Sequence, residues 1–267
     1  MDYILTIFAF FLGTAIGSFL NVVAIRLPKR RKFLQLQQRS KCPKCRHVLH
    51  TPDLVPIVSY LFLRGRCRYC RKPISPQYVL LELITGATFA LLVWQYGVSG
   101  TTLVGLVGAS FLIALGTIDA RLKIVPDALS LPAIASVFLV QVLVISQFGA
   151  HGFSSAMFRS LGGLLLGAAI GALWFWLQWL VSRGKWVGTG DIRLGALLGV
   201  FLGMPHTLLA LFLAYITGSL WAGVLLARHK VRFGGSIPFG AFLAFAAIVI
   251  FIFGPAVVSW YQRVIGW

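Results

Sequence analysis

The chain is 267 residues long, 58% hydrophobic and only 11% charged, a balance that excludes an ordinary soluble domain and reads as an integral membrane protein. It carries 24 Lys and Arg against six Asp and Glu, a net charge of +18. That excess would suit nucleic acid, but no nucleic-acid motif is present. The basic residues instead crowd short loops beside apolar segments, where they orient the protein and meet anionic lipid head groups.

In chain order, the first apolar segment, residues 3–27, is too long for a removable signal peptide. It begins after Asp2 rather than a basic stretch and lacks a small-residue cleavage site, so it is expected to remain as a membrane helix. Gly13 and Gly17, with Asn21 one turn further, recur at the four-residue spacing that lets helix backbones approach in lipid.

Residues 28–77 form a loop holding thirteen of the 24 basic residues, from Lys29, Arg30, Arg31 and Lys32 through to Lys72. By the positive-inside rule this loop is cytoplasmic. It also holds all four cysteines, as Cys42-Pro43-Lys44-Cys45 and Cys67-Arg68-Tyr69-Cys70. Two C-x-x-C pairs at this separation suit a four-thiolate zinc knuckle of structural type, because four protein ligands leave no open position. Two disulfides are the alternative, disfavoured by a reducing compartment. Lys44, Arg46, Arg66 and Arg68 offset the thiolate charge, so His47 and His50 are not needed as ligands. Between the pairs, residues 54–63 are apolar but too short to cross a bilayer, and pack either on the membrane surface or on neighbouring helices.

Seven further apolar segments follow, at about 78–96, 101–118, 128–147, 160–182, 192–206, 207–227 and 238–260, that at 192–206 being the weakest because Pro205 cuts it short. The expected fold is an all-α polytopic membrane protein of about eight transmembrane helices with a cytoplasmic zinc-knuckle loop between helices 1 and 2. Its divisions are a first helix (1–27), the loop (28–77) and a membrane domain (78–267). Arg121 and Lys123, Arg183 and Lys185, and Arg228, Lys230 and Arg232 fall on the side of the loop, leaving Arg159 and Arg263 opposite, so both termini lie outside. Glycines recur at four-residue spacing again at Gly163, Gly167 and Gly171 and at Gly195, Gly199 and Gly203. Asp191 lies one turn before Gly195 and shares that packed face.

Ionisable groups at a membrane boundary default to a functional reading. Asp127 follows Pro126 where a helix N-cap is expected. Asp191 follows Gly188-Thr189-Gly190 and suits either a cap or a functional role. Asp119 closes the third span, at the negative end of the helix dipole, where a carboxylate is unfavourable. A residue set against its local electrostatics points to function. Two such carboxylates can share one proton, one acting as general base on water while the other donates to a carbonyl oxygen, which is aspartic protease chemistry. No serine has a paired His and Asp, and the cysteines are committed to the knuckle. A transporter relaying protons through Asp119 and Asp191 is the alternative of another class, and a structural assembly factor recruiting partners through the zinc loop is a third.

Residues 17–23 (Gly-Ser-Phe-Leu-Asn-Val-Val) with Arg26-Leu27-Pro28, the paired C-x-x-C loop, Arg64-Gly65-Arg66-Cys67, Pro73-Ile74-Ser75 with Leu81-Glu82-Leu83, Ile118-Asp119 with Pro126-Asp127, Gly188-Thr189-Gly190-Asp191 and Ile237-Pro238-Phe239-Gly240 together resemble the bacterial type 4 prepilin peptidase family, in order over nearly the whole chain. The resemblance implies a bacterial inner-membrane aspartic endopeptidase of the GxGD type. Such an enzyme cuts the short basic leader from type IV prepilins or pseudopilins on the cytoplasmic side, after a glycine. It also implies methylation of the new N-terminus from S-adenosylmethionine. Asp119 and Asp191 would be catalytic, with Gly188, Gly190 and Asp127 supporting them. Cys42, Cys45, Cys67 and Cys70 would hold zinc, and Asn21 and Glu82 would belong to the substrate or methyl-transfer region. Arg193 stands where many relatives carry Lys. Because the leader is basic, the scarce carboxylates are the groups expected to attract it, and lipid is the other expected partner.

Overall fold

The computed structural model describes residues 3–30, 39–148, 155–230 and 237–265. Arg31, Lys32 and Arg232, which enter the orientation argument, lie outside the described residues, as do the side chains of Lys29, Arg30 and Arg159. In order the helices are α1 (Tyr3–Arg30), α2 (Val58–Phe62), α3 (Gln77–Tyr96), α4 (Gly100–Leu122), α5 (Asp127–Phe148), α6 (Ser155–Ser182), α7 (Thr189–Leu202), α8 (His206–Ala227) and α9 (Phe239–Ile265). Among the described residues the extended pairing is confined to two isolated bridges, Lys41 with Val48 and Arg66 with Pro73.

Among the described residues seven helices are long and apolar enough to cross a membrane: α1, α3, α4, α5, α6, α8 and α9. The expected sixth span is α7, which has 14 residues. At 1.5 Å per residue it is about 21 Å long, short of the ~30 Å hydrocarbon core. Helical backbone is required here because no water can satisfy peptide groups in lipid. Burial within the protein therefore comes from small residues that bring helices together.

By contacts the chain forms two compact units, Met1–Gly97 and Val98–Trp267, so α3 groups with α1 and the cysteine loop rather than with the helices after it. In the first unit α1 and α3 pack along most of their length. Gly13 faces the Gly86 Cα, and Gly17 faces the Glu82 Cα, in each case with 2.8 Å to the position a Cβ would occupy. At the loop end of the same interface, the Asn21 side-chain amide donates to the Tyr78 carbonyl at 3.0 Å and to the Gly17 carbonyl at 3.3 Å.

In the second unit the two long glycine series meet each other. Gly171 packs on Gly195, Gly167 on Gly199, and the Gly163 carbonyl accepts the Met204 N–H at 3.1 Å just past Gly203. The positions rise along α6 as they fall along α7, so the two helices are antiparallel and their backbones touch. A methyl group on Gly171, Gly195 or Gly199 would collide with backbone of the facing helix. The far end of α7 is held from a third helix, where Gln141 of α5 donates to the Phe201 and Val200 carbonyls at 3.1 and 3.4 Å, satisfying acceptors that a helix C-terminus leaves open. Phe201 stacks on Phe251 of α9 at 4.4 Å between ring centroids and fills the space over Gly108 of α4. The short helix is thereby fixed on every side.

Candidate active site and metal centre

In the second unit, three helix junctions converge at one end: the α4–α5 turn, the start of α7 and the start of α9. Asp119 is buried, three residues before the end of α4. Its Oδ2 accepts the Ala241 N–H at 3.1 Å. Ala241 is the third residue of α9, whose first-turn N–H groups have no partner within the helix. The carboxylate thus caps a helix 122 residues away, and the positive end of the α9 dipole offsets the negative end of α4. This answers the electrostatic conflict that the sequence presents at Asp119. Gly240 makes the approach possible, since its Cβ position lies 3.0 Å from Asp119 Oδ2 and 2.7 Å from Leu194 Cδ1.

Leu194 belongs to the second turn of α7, whose first turn carries Asp191. The Asp191 Oδ2 accepts the Gly188 N–H at 3.1 Å while its own N–H returns to the Gly188 carbonyl at 3.1 Å, so Asp191 does cap α7. Within the Gly-Thr-Gly stretch the two glycines differ. A Cβ on Gly190 would sit 2.7 Å from Val125 Cβ in the α4–α5 turn, whereas at Gly188 the nearest atom is 3.8 Å away. Gly190 is therefore the one that close approach requires. Gly240 lies against both Asp119 of α4 and Leu194 of α7, so the end of α4 and the Asp191-bearing start of α7 meet at one junction.

Asp127 is the first residue of α5, with Pro126 before it accepting the Ser130 N–H, and its Oδ1 accepts a hydrogen bond from Arg193 rather than from the helix end. The Asp127–Arg193 ion pair ties the α4–α5 turn to α7 two residues past Asp191. Asp127 thus stands as the first residue of α5, and the partner its side chain is shown with is a guanidinium distant in sequence.

In the first unit, the ligand atoms of Cys42, Cys45, Cys67 and Cys70 all lie within 4.8 Å of one another, and Cys42 and Cys70 Sγ are 3.9 Å apart. With metal–sulfur bonds of ~2.3 Å a tetrahedron has sulfur edges of about 3.8 Å, so the donor set fits a metal ion. His47 is stacked on Tyr69 at 3.7 Å and stands apart from the set. Burial opposes ionisation of the Cys42 thiol, but the backbone N–H groups of Cys45 and Lys44 and the neighbouring thiols bring it down to about 7.

The two knuckles are the same structure repeated after 25 residues. Cys42 N–H donates to the His47 carbonyl and Arg46 N–H to Cys42, as Cys67 does to Lys72 and Arg71 to Cys67. Arg46 and Arg71 both sit at positive φ, 61° and 53°. Leu49 N–H pairs with Ser40, and Ile74 N–H with Gly65. Asp53 braces the pair. Its side chain is buried, accepts from Arg68 Nε at 2.7 Å, Tyr69 Oη at 3.1 Å and the His50 N–H at 3.2 Å, and these donors outweigh burial to hold the carboxyl below its ordinary range.

Beneath the knuckles a cavity of about 270 Å³ is lined by Asn21, Arg26, Asp53, Tyr60, Tyr78 and Glu82, with Ser18, Cys42 and Cys67 among others. Glu82 is buried and accepts the Ile57 N–H at 2.8 Å. Ile57 has φ 60° and ψ −53°, a γ-turn closed by Val58 N–H to the Pro56 carbonyl at 2.5 Å. A β-branched residue there is strained.

Ala241 with Gly240, the partner role of Arg193, and the Glu82–Ile57 contact are the parts the sequence reading leaves without a role. For the first, Ile237-Pro238-Phe239-Gly240 ahead of an apolar run carries the signal, since a glycine in a helix's opening turn invites close approach.

Residues 11–96 match the family described as Bacterial Peptidase A24 N-terminal domain, and residues 106–223 match the Type IV leader peptidase family. The chain is 34% identical over 280 residues to a "Prepilin leader peptidase/N-methyltransferase" of Stutzerimonas stutzeri, covering 96% of this chain and 93% of that one. It is 35% identical to the protein of the same name from Burkholderia pseudomallei (strain 1026b), over 92% and 85%. The corresponding figure for Pseudomonas aeruginosa is 32%, over 96% and 92%. No solved structure matches the chain. The protein belongs to the type IV leader peptidase family.

Proposed function

We infer that this multi-pass membrane protein cleaves the leader from type IV prepilins or pseudopilins at the cytoplasmic face of the bacterial inner membrane, with Asp119 and Asp191 as the catalytic pair. The observation that carries the reading is the Asp119 carboxylate held by the start of α9 beside the start of α7, which bears Asp191. One carboxylate takes a proton from water as the water oxygen attacks the scissile carbonyl. The other, protonated, donates to the carbonyl oxygen. Collapse of the tetrahedral adduct breaks the C–N bond, and the proton first taken from water passes to the leaving amine. Gly188 and Gly190 shape the turn beneath Asp191, and Asp127 with Arg193 holds that turn in place. Both carboxylates lie at helix ends rather than at mid-helix, which disfavours a proton-relay transporter.

The relatives' name adds N-methylation of the new terminus. The cavity under the knuckles, with Asn21 and Glu82 on its wall, is the proposed place for it. The sulfonium of S-adenosylmethionine is a cation, and Glu82 with Tyr60 and Tyr78 offers the carboxylate and aromatic faces that suit one. The four cysteines are proposed to hold one structural zinc, matching their all-sulfur donor set.

The test is cleavage of a purified prepilin, with mass spectrometry of both fragments in the presence of S-adenosylmethionine, by variants at matched membrane levels. Asp119→Asn and Asp191→Asn should each lose at least about a thousandfold in rate, and the double variant little more, because members of a catalytic unit are non-additive. Asp127→Asn should retain substantial turnover. Turnover by Asp119→Asn near that of the unmodified protein overturns the assignment.

A further inference from the structure

The segment between the two cysteine pairs carries an apolar face that the described residues of its own unit leave exposed. Val55 and Val58 are exposed, and Leu61 and Phe62 are 66% and 84% exposed. Positions 58, 61 and 62 stand at i, i+3 and i+4, so they share one face of α2, and Val55 leads into it one turn earlier. Ser59, Tyr60 and Leu63 turn the other way and line the cavity. The helix is therefore amphipathic in reverse, with its most apolar residues pointing outward.

Its height on the membrane helices follows from one hydrogen bond. Ile57, immediately before α2, donates to Glu82 at 2.8 Å. Glu82 is the sixth residue of the spanning helix α3 and packs against Gly17 of the spanning helix α1. Five residues at 1.5 Å each place Glu82 about 7.5 Å inside the start of α3. An interfacial helix buries its apolar face roughly 5–10 Å into the boundary of head groups and acyl chains. The strained γ-turn at Ile57 is what brings the chain to that level. Just after α2, the exposed cations Arg64 and Arg66 are placed to meet anionic head groups.

We propose that Val55, Val58, Leu61 and Phe62 form an interfacial foot that inserts into the lipid boundary, with Arg64 and Arg66 on anionic head groups, seating the four-cysteine loop on the membrane. The occupant of this face is lipid, and the foot is independent of how the carboxylates act in the other unit.

The test uses the full chain in lipid nanodiscs with a fluorescent amino acid at the exposed site, Phe62→dansylalanine, since eight native tryptophans would mask a Trp probe. Acyl-brominated lipid should quench the probe at least about twofold while aqueous iodide quenches it weakly, as expected of a group in the interface. Raising phosphatidylglycerol to about 30% should shift the emission to the blue, and Arg64→Gln with Arg66→Gln should remove that shift. Hydrogen exchange on protein without the probe gives a second measurement. Residues 55–63 should be protected in nanodiscs and lose several-fold of that protection in Leu61→Ser/Phe62→Ser, with residues 40–49 unchanged. Strong iodide quenching without bromolipid quenching overturns the proposal. So does shielding that appears only at raised protein concentration, which points to a second copy, or only on adding a prepilin peptide, which points to substrate.

Discussion

The two units solve the problem of fixing a site next to a membrane by opposite means. In the second, α6 and α7 touch through bare backbone, Gly171 on Gly195 and Gly167 on Gly199, and Gly240 leaves room for the Asp119 carboxylate. In the first, the loop outside the helices is held by discrete polar contacts, Asp53 to Arg68 and Tyr69, Glu82 to Ile57, and four sulfurs poised around one point. Glycine contacts fix position by exclusion and have no tolerance. Hydrogen bonds and ligands fix position by attraction, and each can be weakened in steps.

This contrast predicts a ranking. The largest effect belongs to the glycine zipper, where Gly195→Leu should abolish prepilin cleavage because α7 cannot dock on α6, while metal content of the cysteine loop, measured on the same preparation, stays at that of the parent. Loss of metal together with cleavage would show that the two units depend on each other. Next, Gly240→Ala should lower the cleavage rate by about ten- to a hundredfold without loss of the folded protein, since a small displacement of Asp119 costs that much if it has the proposed catalytic role. A rate within about twofold of the parent would show that Asp119 does not need its α9 donors.

Cys42→Ser or chelation should strip the metal and unfold the loop, which has little core of its own, and should depress methyl transfer more than cleavage. Equal loss of both would place the loop in the peptidase reaction. Paired variants sharpen the GTGD turn: Gly190→Ala should impair cleavage several-fold, and Gly188→Ala should be nearly silent because its Cβ position has room. The smallest effect is expected for Asp53→Asn. It weakens the Arg68 contact, which is half-exposed, and should cost about 1 kcal/mol or less in the thermal stability of the metal-bound loop.

The spans were readable because twenty apolar residues in lipid leave the backbone no choice but a helix. The glycine series were readable as close-packing faces, yet nothing in either stripe names its partner, and it took the structure to show that they pack on each other. Asp119 was recognisable as misplaced within its own helix; the compensating dipole belongs to α9, which the local pattern cannot reveal. Pro126 ahead of Asp127 is a good local signal for a helix start, whereas the partner of the Asp127 side chain, Arg193, lies 66 positions away and leaves no local trace. The 25-residue repeat is present in plain letters, as Cys-x-x-Cys-Arg twice over, but the matching backbone bonds of the two knuckles are visible only in three dimensions.

The bond from Ala241 to Asp119 also sets an order of events during synthesis. A chain that has inserted α1 through α8 already carries both carboxylates, but the helix whose first turn receives Asp119 has not yet been made. On this geometry the newborn protein lacks the Asp119–Ala241 bond until α9 enters the bilayer, so a product stalled before α9 would occupy the membrane without the arrangement proposed to cut peptides.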